Sequence, residues 1–167
     1  MATSQDSLRS SLRESLVEHL LLGEIMKHLW LHSGCELMVL TPQVDDGGYD
    51  LALEANAVLR HVQLKSSSLD AKTASVNVSL KLAAKPSGCV LWALFDANTM
   101  ALGPFLWFGG PPGSPLPSIS DLQVAKHSKG NAQGVKLPRP GLRVIPRARF
   151  ERLTDVPAVV ERLFGNA

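Results

Sequence analysis

Cysteine is scarce: Cys35 and Cys89 are the two in 167 residues. Two cysteines cannot build the disulfide framework of a small secreted scaffold, and they do not resemble a zinc-ligand spacing. A reducing cytoplasm is the compartment they suggest. A strong excess of one charge is also missing. The net charge is +2, so the total says little about partners. No long uninterrupted apolar run is present. The longest apolar zone, Cys89–Phe108, is broken by Asp96, Asn98 and Gly103-Pro104. It reads as two buried strands and excludes a membrane span. The charged-then-apolar pattern of a secretory leader is absent as well, because Leu8 to Trp30 is studded with Arg and Glu. No internal repeat is visible. With 45% hydrophobic and 19% charged residues, the chain reads as one soluble globular domain with room for a core.

The charge is small in sum but uneven along the chain. Between Leu122 and Arg152 stand eight Lys/Arg against the single acid Glu151, a local +7, which leaves −5 for the remainder. Lys126, Lys129, Lys136, Arg139 and Arg143 lie there among glycines and prolines. Such a segment suits contact with phosphates, and equally a solvated surface that balances the acidic part.

The N-terminal region carries Leu8, Leu12, Leu16 and Leu20 at four-residue spacing, continued by Leu22, Ile25, Met26, Leu29 and Trp30. This predicts an amphipathic helix from about Ser4 or Ser7 to His32, ended by Gly34. Glu24 borders the apolar face so defined, whereas Glu14 and Glu18 fall with Arg13 on a polar side. Glu36–Thr41 reads as a strand. The acidic turn Asp45-Asp46-Gly47-Gly48 follows, its aspartates read as turn chemistry.

Two alternating runs come next, Tyr49–Glu54 and Val58–Lys65, around the short break Ala55-Asn56-Ala57. That is a β-hairpin pattern. Strand alternation puts Leu51, Leu53, Val58, Val62 and Leu64 on one face and Asp50, Gln63 and Lys65 on the other. A two-residue turn at Asn56-Ala57 sets Asp50 opposite Gln63, and a four-residue turn slides the pairing by two and keeps the faces. A carboxylate, an amide oxygen and an ammonium at one hairpin end can hold a hard divalent cation with a charge stabiliser beside it. His61 lies on the same face and reads as a partly exposed strand histidine.

Beyond the hairpin, Ser66-Ser67-Ser68 suits a helix start, and a helix is predicted over roughly Val76–Ala84. Gly88–Asp96 and Met100–Phe108 read as paired buried strands. Gly109–Pro117, rich in proline and glycine, is a loop. The basic segment is expected to be irregular, with a short strand near Leu142–Ile145. Asp155–Leu163 is a final amphipathic helix with Pro157 in its first turn and Gly165 past its end. Trp92, Trp107 and Phe108 read as core.

The sequence Gly47-Gly48-Tyr49-Asp50-Leu51 with Val62-Gln63-Leu64-Lys65-Ser66 resembles the PD-(D/E)XK nuclease superfamily, in particular its Mrr-like branch with a D…QxK motif. The likeness spans about Leu16 to Phe108. It implies an α/β restriction endonuclease-like core, a central mixed sheet flanked by helices in the order α-β-β-β-α-β-β. That core would occupy about residues 7–108 of a single domain, with a basic appendage and terminal helix over 109–167. By resemblance, Asp50 is the metal-binding aspartate, Gln63 replaces the usual second acid, Lys65 is the motif lysine and Glu24 is the first-helix glutamate. Tyr49 replaces the motif's proline. The cofactor implied is Mg²⁺ or Mn²⁺, held by Asp50, Gln63, Glu24 and the carbonyl of Leu64.

The activity implied is hydrolysis of phosphodiester bonds in nucleic acid, DNA foremost, with Lys126, Lys129, Lys136, Arg139 and Arg143 on the phosphates. No membrane partner is implied, and a homodimer stays open. The alternatives are a catalytically inactive nuclease-fold module that binds nucleic acid or serves as an accessory, and an interaction protein whose hairpin cluster is a surface ion-pair set.

Overall fold

A computed structural model describes residues 4–34, 36–44 and 46–165, with side chains from residue 9 onward. Cys35 and Asp45 lie outside the described residues. Helix α1 spans Ser4–His32. Only Val17 and Ile25 between Leu8 and His32 are β-branched, which favours helix over strand. Gly34, at φ +58, ends it.

The larger sheet has six strands: β1 (Met38–Leu40), β2 (Leu51–Ala55), β3 (Val58–Ser68), β5 (Gly88–Phe95), β6 (Leu102–Gly109) and β9 (Glu151–Leu153). Its order is β1-β2-β3-β5-β6-β9, with β3 and β5 parallel and every other pair antiparallel. This is a mixed α/β fold around a central mixed sheet. A second, three-stranded antiparallel sheet has the order β4-β8-β7, from β4 (Ser75–Ser79), β7 (Val124–Lys126) and β8 (Pro138–Pro146).

Apolar alternation places a core on each face of the larger sheet. On one face, α1 and α3 (Val156–Phe164) bury Val17, Leu21, Ile25, Val159 and Leu163 against Leu51, Leu53, Val62 and Leu91. On the other, Val78 and Ile145 of the small sheet and Leu82 of the one-turn helix α2 (Leu80–Ala83) cover Trp92, Leu106 and Phe108. All eight residues of β5 are buried, which accounts for its unbroken apolar run.

The structure departs from the sequence reading in four places. The buried stripe of α1 is Val17, Leu21, Ile25 and Leu29, while Leu12, Leu16 and Leu20 are exposed. The triple serine Ser66–Ser68 extends β3 beside β5 and starts no helix. The predicted helix over Val76–Ala84 is strand β4 followed by a single helical turn capped by the Ser79 hydroxyl. Its valines alternate along a strand of the small sheet and pack toward the larger one, and only the Leu80–Ala83 part keeps helical spacing. The basic segment is not irregular throughout, since β7 and β8 pair within it. The chain from Gly109 onward also supplies β9 to the larger sheet and α3 to its core. Among the described residues no helix is long and apolar enough to cross a membrane.

Candidate active site

The hairpin turn is built from Asn56 and Ala57, at φ 51 and 61, the left-handed pair of a two-residue I′ turn. It pairs Ala55 with Val58 and Leu51 with Val62. Continued one step, that register sets Asp50 across from Gln63. There the strands part: β2 begins at Leu51, whereas β3 runs on to Ser68 beside β5. The Asp50 N–H still donates to the Val62 carbonyl at 2.9 Å. Beyond it, the Leu64 N–H donates to Asp50 Oδ2 at 2.6 Å. The carboxylate thus takes a strand N–H that a longer β2 would have met with a carbonyl. This short charge-assisted bond fixes Asp50 in the gap between strands.

A cavity of about 450 Å³ opens at that gap, lined by Asp50, by Leu64 and Lys65 of β3, and by Glu14 and Glu18 of α1. Three carboxylates and one ammonium thus line it. Oxygen donors of this kind match a hard divalent cation. Among the described residues, no three His, Cys, Asp or Glu side chains stand close enough to enclose a metal by themselves. That still fits Mg²⁺, which keeps several waters and takes one or two carboxylates together with substrate phosphate.

Gln63 faces elsewhere. Its Oε1 accepts from the Ser79 N–H at 3.3 Å, in a second cavity of about 760 Å³ between β3, α2 and the β7–β8 hairpin. Lys65 lines both cavities. The second one is mainly basic, with Lys65, Lys81, His127 and Arg139 in its wall. Asp46 is its acid, paired with Lys81. The Lys81 ammonium holds the Asp46 carboxyl below the usual carboxylate range. Gly48, at φ +76, lets the acidic turn approach α2. A Cβ there would lie 2.9 Å from both the Leu82 nitrogen and the Ser79 hydroxyl oxygen.

Of the expected site residues, the structure joins Asp50 and Lys65 in one cavity with the Leu64 backbone, and Gln63 and Lys65 in the other. Glu24 lines neither; it pairs with Lys27 at 2.6 Å on the helix surface. Glu14 and Glu18 occupy the place that Glu24 was expected to fill. The signal that marks them is the Val17-Leu21-Ile25-Leu29 stripe, along whose border Glu14 and Glu18 lie four residues apart.

The basic residues also separate. Arg139 faces the second cavity. Lys126, Lys129 and Lys136 are exposed in β7 and the connection to β8. The Arg143 guanidinium is spent on backbone carbonyls, those of Pro140 at 2.8 Å, Leu142 at 3.1 Å and Ser120 at 3.2 Å. His61 Nδ1 lies 2.7 Å from the Pro86 carbonyl oxygen and its ring packs edge-on to Tyr49, a structural placement.

No protein-family model and no curated protein matches the chain. Among solved structures, a bacterial homing endonuclease aligns at 18% identity and a TM-score of 0.34, over 68% of this chain and 67% of its own. An overlap so loose does not define a shared fold, and the reading of the site rests on its geometry.

Proposed function

We propose that the protein is a metal-dependent nuclease of the PD-(D/E)XK kind that hydrolyses phosphodiester bonds, with DNA as its foremost substrate. The observation that carries this reading is Asp50, held at the parting of β2 and β3 by the Leu64 N–H, in a cavity shared with Lys65 and Glu18. The basic groove adjoining it through Lys65 supports the same reading. Asp50, Glu18 and the Leu64 carbonyl would hold Mg²⁺ or Mn²⁺, which when bound polarises a phosphate and acidifies water.

The chain's own groups supply the rest. Lys65 offsets the negative charge that builds on the phosphorus oxygens. Glu14 and Glu18 offer acceptors to the attacking water. Nucleic acid enters along Lys81, His127 and Arg139, with Lys126, Lys129 and Lys136 on the backbone further out. Gln63 then serves the groove and the β4 end more than the metal.

Plasmid DNA incubated with Mg²⁺ or Mn²⁺ tests the proposal. Asp50→Asn keeps an acceptor oxygen for the Leu64 N–H, so it should fold normally while losing cleavage by about 100-fold or more, as Lys65→Ala should. Glu18→Gln should lose activity and Glu24→Gln should not. Cleavage that persists in Lys65→Ala would sink the site. Salt-dependent binding of DNA without cleavage under any metal would favour a catalytically inactive binding module instead.

A further inference from the structure

The most regular leucine pattern in the chain has no role in its core. Leu12, Leu16, His19, Gly23, Met26 and Trp30 follow one another at steps of four, three, four, three and four along α1, with the exposed His19 as the polar position among them. This is the spacing of a helix-pairing seam. It lies on the side of α1 turned away from Val17, Leu21 and Ile25. Leu12 is 63% exposed, Met26 51% and Trp30 80%, with Leu16 and Leu20 beside them. Trp30 alone accounts for roughly 150–200 Å² of exposed surface, and with the partly exposed Leu12, Leu16, Leu20 and Met26 the stripe offers on the order of 500 Å². That is just short of the roughly 600 Å² per partner at the low end of stable interfaces, and toward the top of the roughly 300–600 Å² of the largest patch on a typical monomer.

Gly23 is a second, independent observation. It sits inside α1, is exposed, and a Cβ built on it would meet nothing within 4 Å. Glycine weakens a helix interior relative to alanine, and nothing in the described monomer asks for its small size. A helix lying across the stripe would ask for it, because glycine lets two backbones approach closely.

We infer that the outer face of α1 is a self-association surface, on which a second copy of this chain packs its own α1 antiparallel with Gly23 at the crossing. Under that two-fold, Leu16 of one copy faces Trp30 of the other, and Leu20 faces Met26. Trp30 then meets the smaller Leu16, while Leu20 and Met26 are of similar size, and the glycines meet each other. A second copy supplies a matching stripe by construction, which a lipid surface does not. The inference stands apart from the cleavage reading and does not need it.

Sedimentation velocity across roughly 1–200 µM protein reads it out, with circular dichroism as the fold control. Wild type should pass from monomer to dimer within that range. Leu16→Glu and Trp30→Glu, both on an exposed face, should keep their helical signal and weaken association at least tenfold. Gly23→Leu should do the same, by bulk alone. In a Cys35→Ser background, the double variant Leu16→Cys/Trp30→Cys should cross-link between copies while neither single variant does. A wild type monomeric throughout overturns the inference. So does a dimer that these variants leave intact, or a monomer whose stripe binds anionic phosphatidylserine/phosphatidylcholine vesicles instead.

Discussion

Replacing Arg60 tests how α3 is tied to the sheet. Arg60 is fully buried, and its charge meets carbonyls in place of a carboxylate. Its Nε donates to the Leu163 carbonyl at 2.8 Å, and one Nη to the Arg162 and Gly110 carbonyls at 2.8 Å. Two of these are the last carbonyls of α3, which lack helical partners and carry the negative end of its dipole. The guanidinium also stacks 5.3 Å over Trp107. Its other Nη, buried, has no hydrogen-bond partner among the described residues, and burial pushes the guanidinium below its ordinary value.

Two effects therefore oppose each other. Hydrogen bonds to a charged donor contribute about 1.5–3 kcal/mol each, whereas burying the charge costs several kcal/mol. Arg60→Met removes both. It fills most of the stem but orphans the buried Leu163 carbonyl, while the Gly110 and Arg162 carbonyls, only part-buried, can turn to water. The expected net loss is about 2–3 kcal/mol. Arg60→Lys keeps a buried charge and gives up the fork that spans three acceptors, so it should be at least as destabilising. Urea unfolding followed by tryptophan fluorescence should show both midpoints lower by about 1 M or more. A lysine variant as stable as wild type would show that charge at the helix end, and not the fork, secures α3. A neutral methionine variant would show that the carbonyls need no donor.

Further outcomes follow from the turn and the surface. Ala57 at φ 61 bears a left-handed cost of about 1–2 kcal/mol, partly offset in glycine by its greater chain entropy. Ala57→Gly should therefore raise stability by about 0.5–1 kcal/mol and the melting temperature by about 2 °C, measurable by calorimetry. Glu151 and Arg162 join β9 to α3 by two bonds of 3.0 and 2.5 Å, and Arg162 holds the Glu151 carboxyl below its ordinary 4.5. With both side chains nearly half exposed, the pair contributes about 0.5 kcal/mol. A depressed folded value means that this stability is present above pH 4.5 and fades as the pH falls below it. The melting-temperature gap between wild type and Glu151→Gln should close on acidification, and a gap constant with pH would count against the ion pair.

What the sequence disclosed depended on the range over which each signal acts. The faces of the hairpin were legible because strand alternation has a period of two. Its register was not, since a two-residue and a four-residue turn keep the same faces; the left-handed Asn56-Ala57 pair decides for the shorter. The terminal helix was legible because Asp155 caps it and Gly165 closes it. The extent of α1 was legible, but not its orientation. Two apolar stripes run along it, and only the rest of the fold decides that Val17 and Leu21 go inside. Choosing Leu12-Leu16-Leu20 as the inner face rotated the helix and moved the candidate acid from Glu18 to Glu24. The nine-residue β8 was largely hidden by Pro138, Pro140 and Gly141. β4 covers β8 only over Leu142–Pro146, so these prolines sit where one side of the strand has no neighbour, a place that tolerates them.

The bond between Asp50 and the Leu64 amide turns that amide into a built-in indicator of the candidate site. Most amides of β3 point at carbonyls whose electron density hardly varies with conditions. The Leu64 N–H instead reads a carboxylate, 2.6 Å away, so its ¹⁵N shift and solvent exchange follow whatever proton, cation or substitution reaches Asp50. In a two-dimensional amide spectrum one crosspeak therefore reports the charge state of the site, and does so in the resting protein with no turnover required.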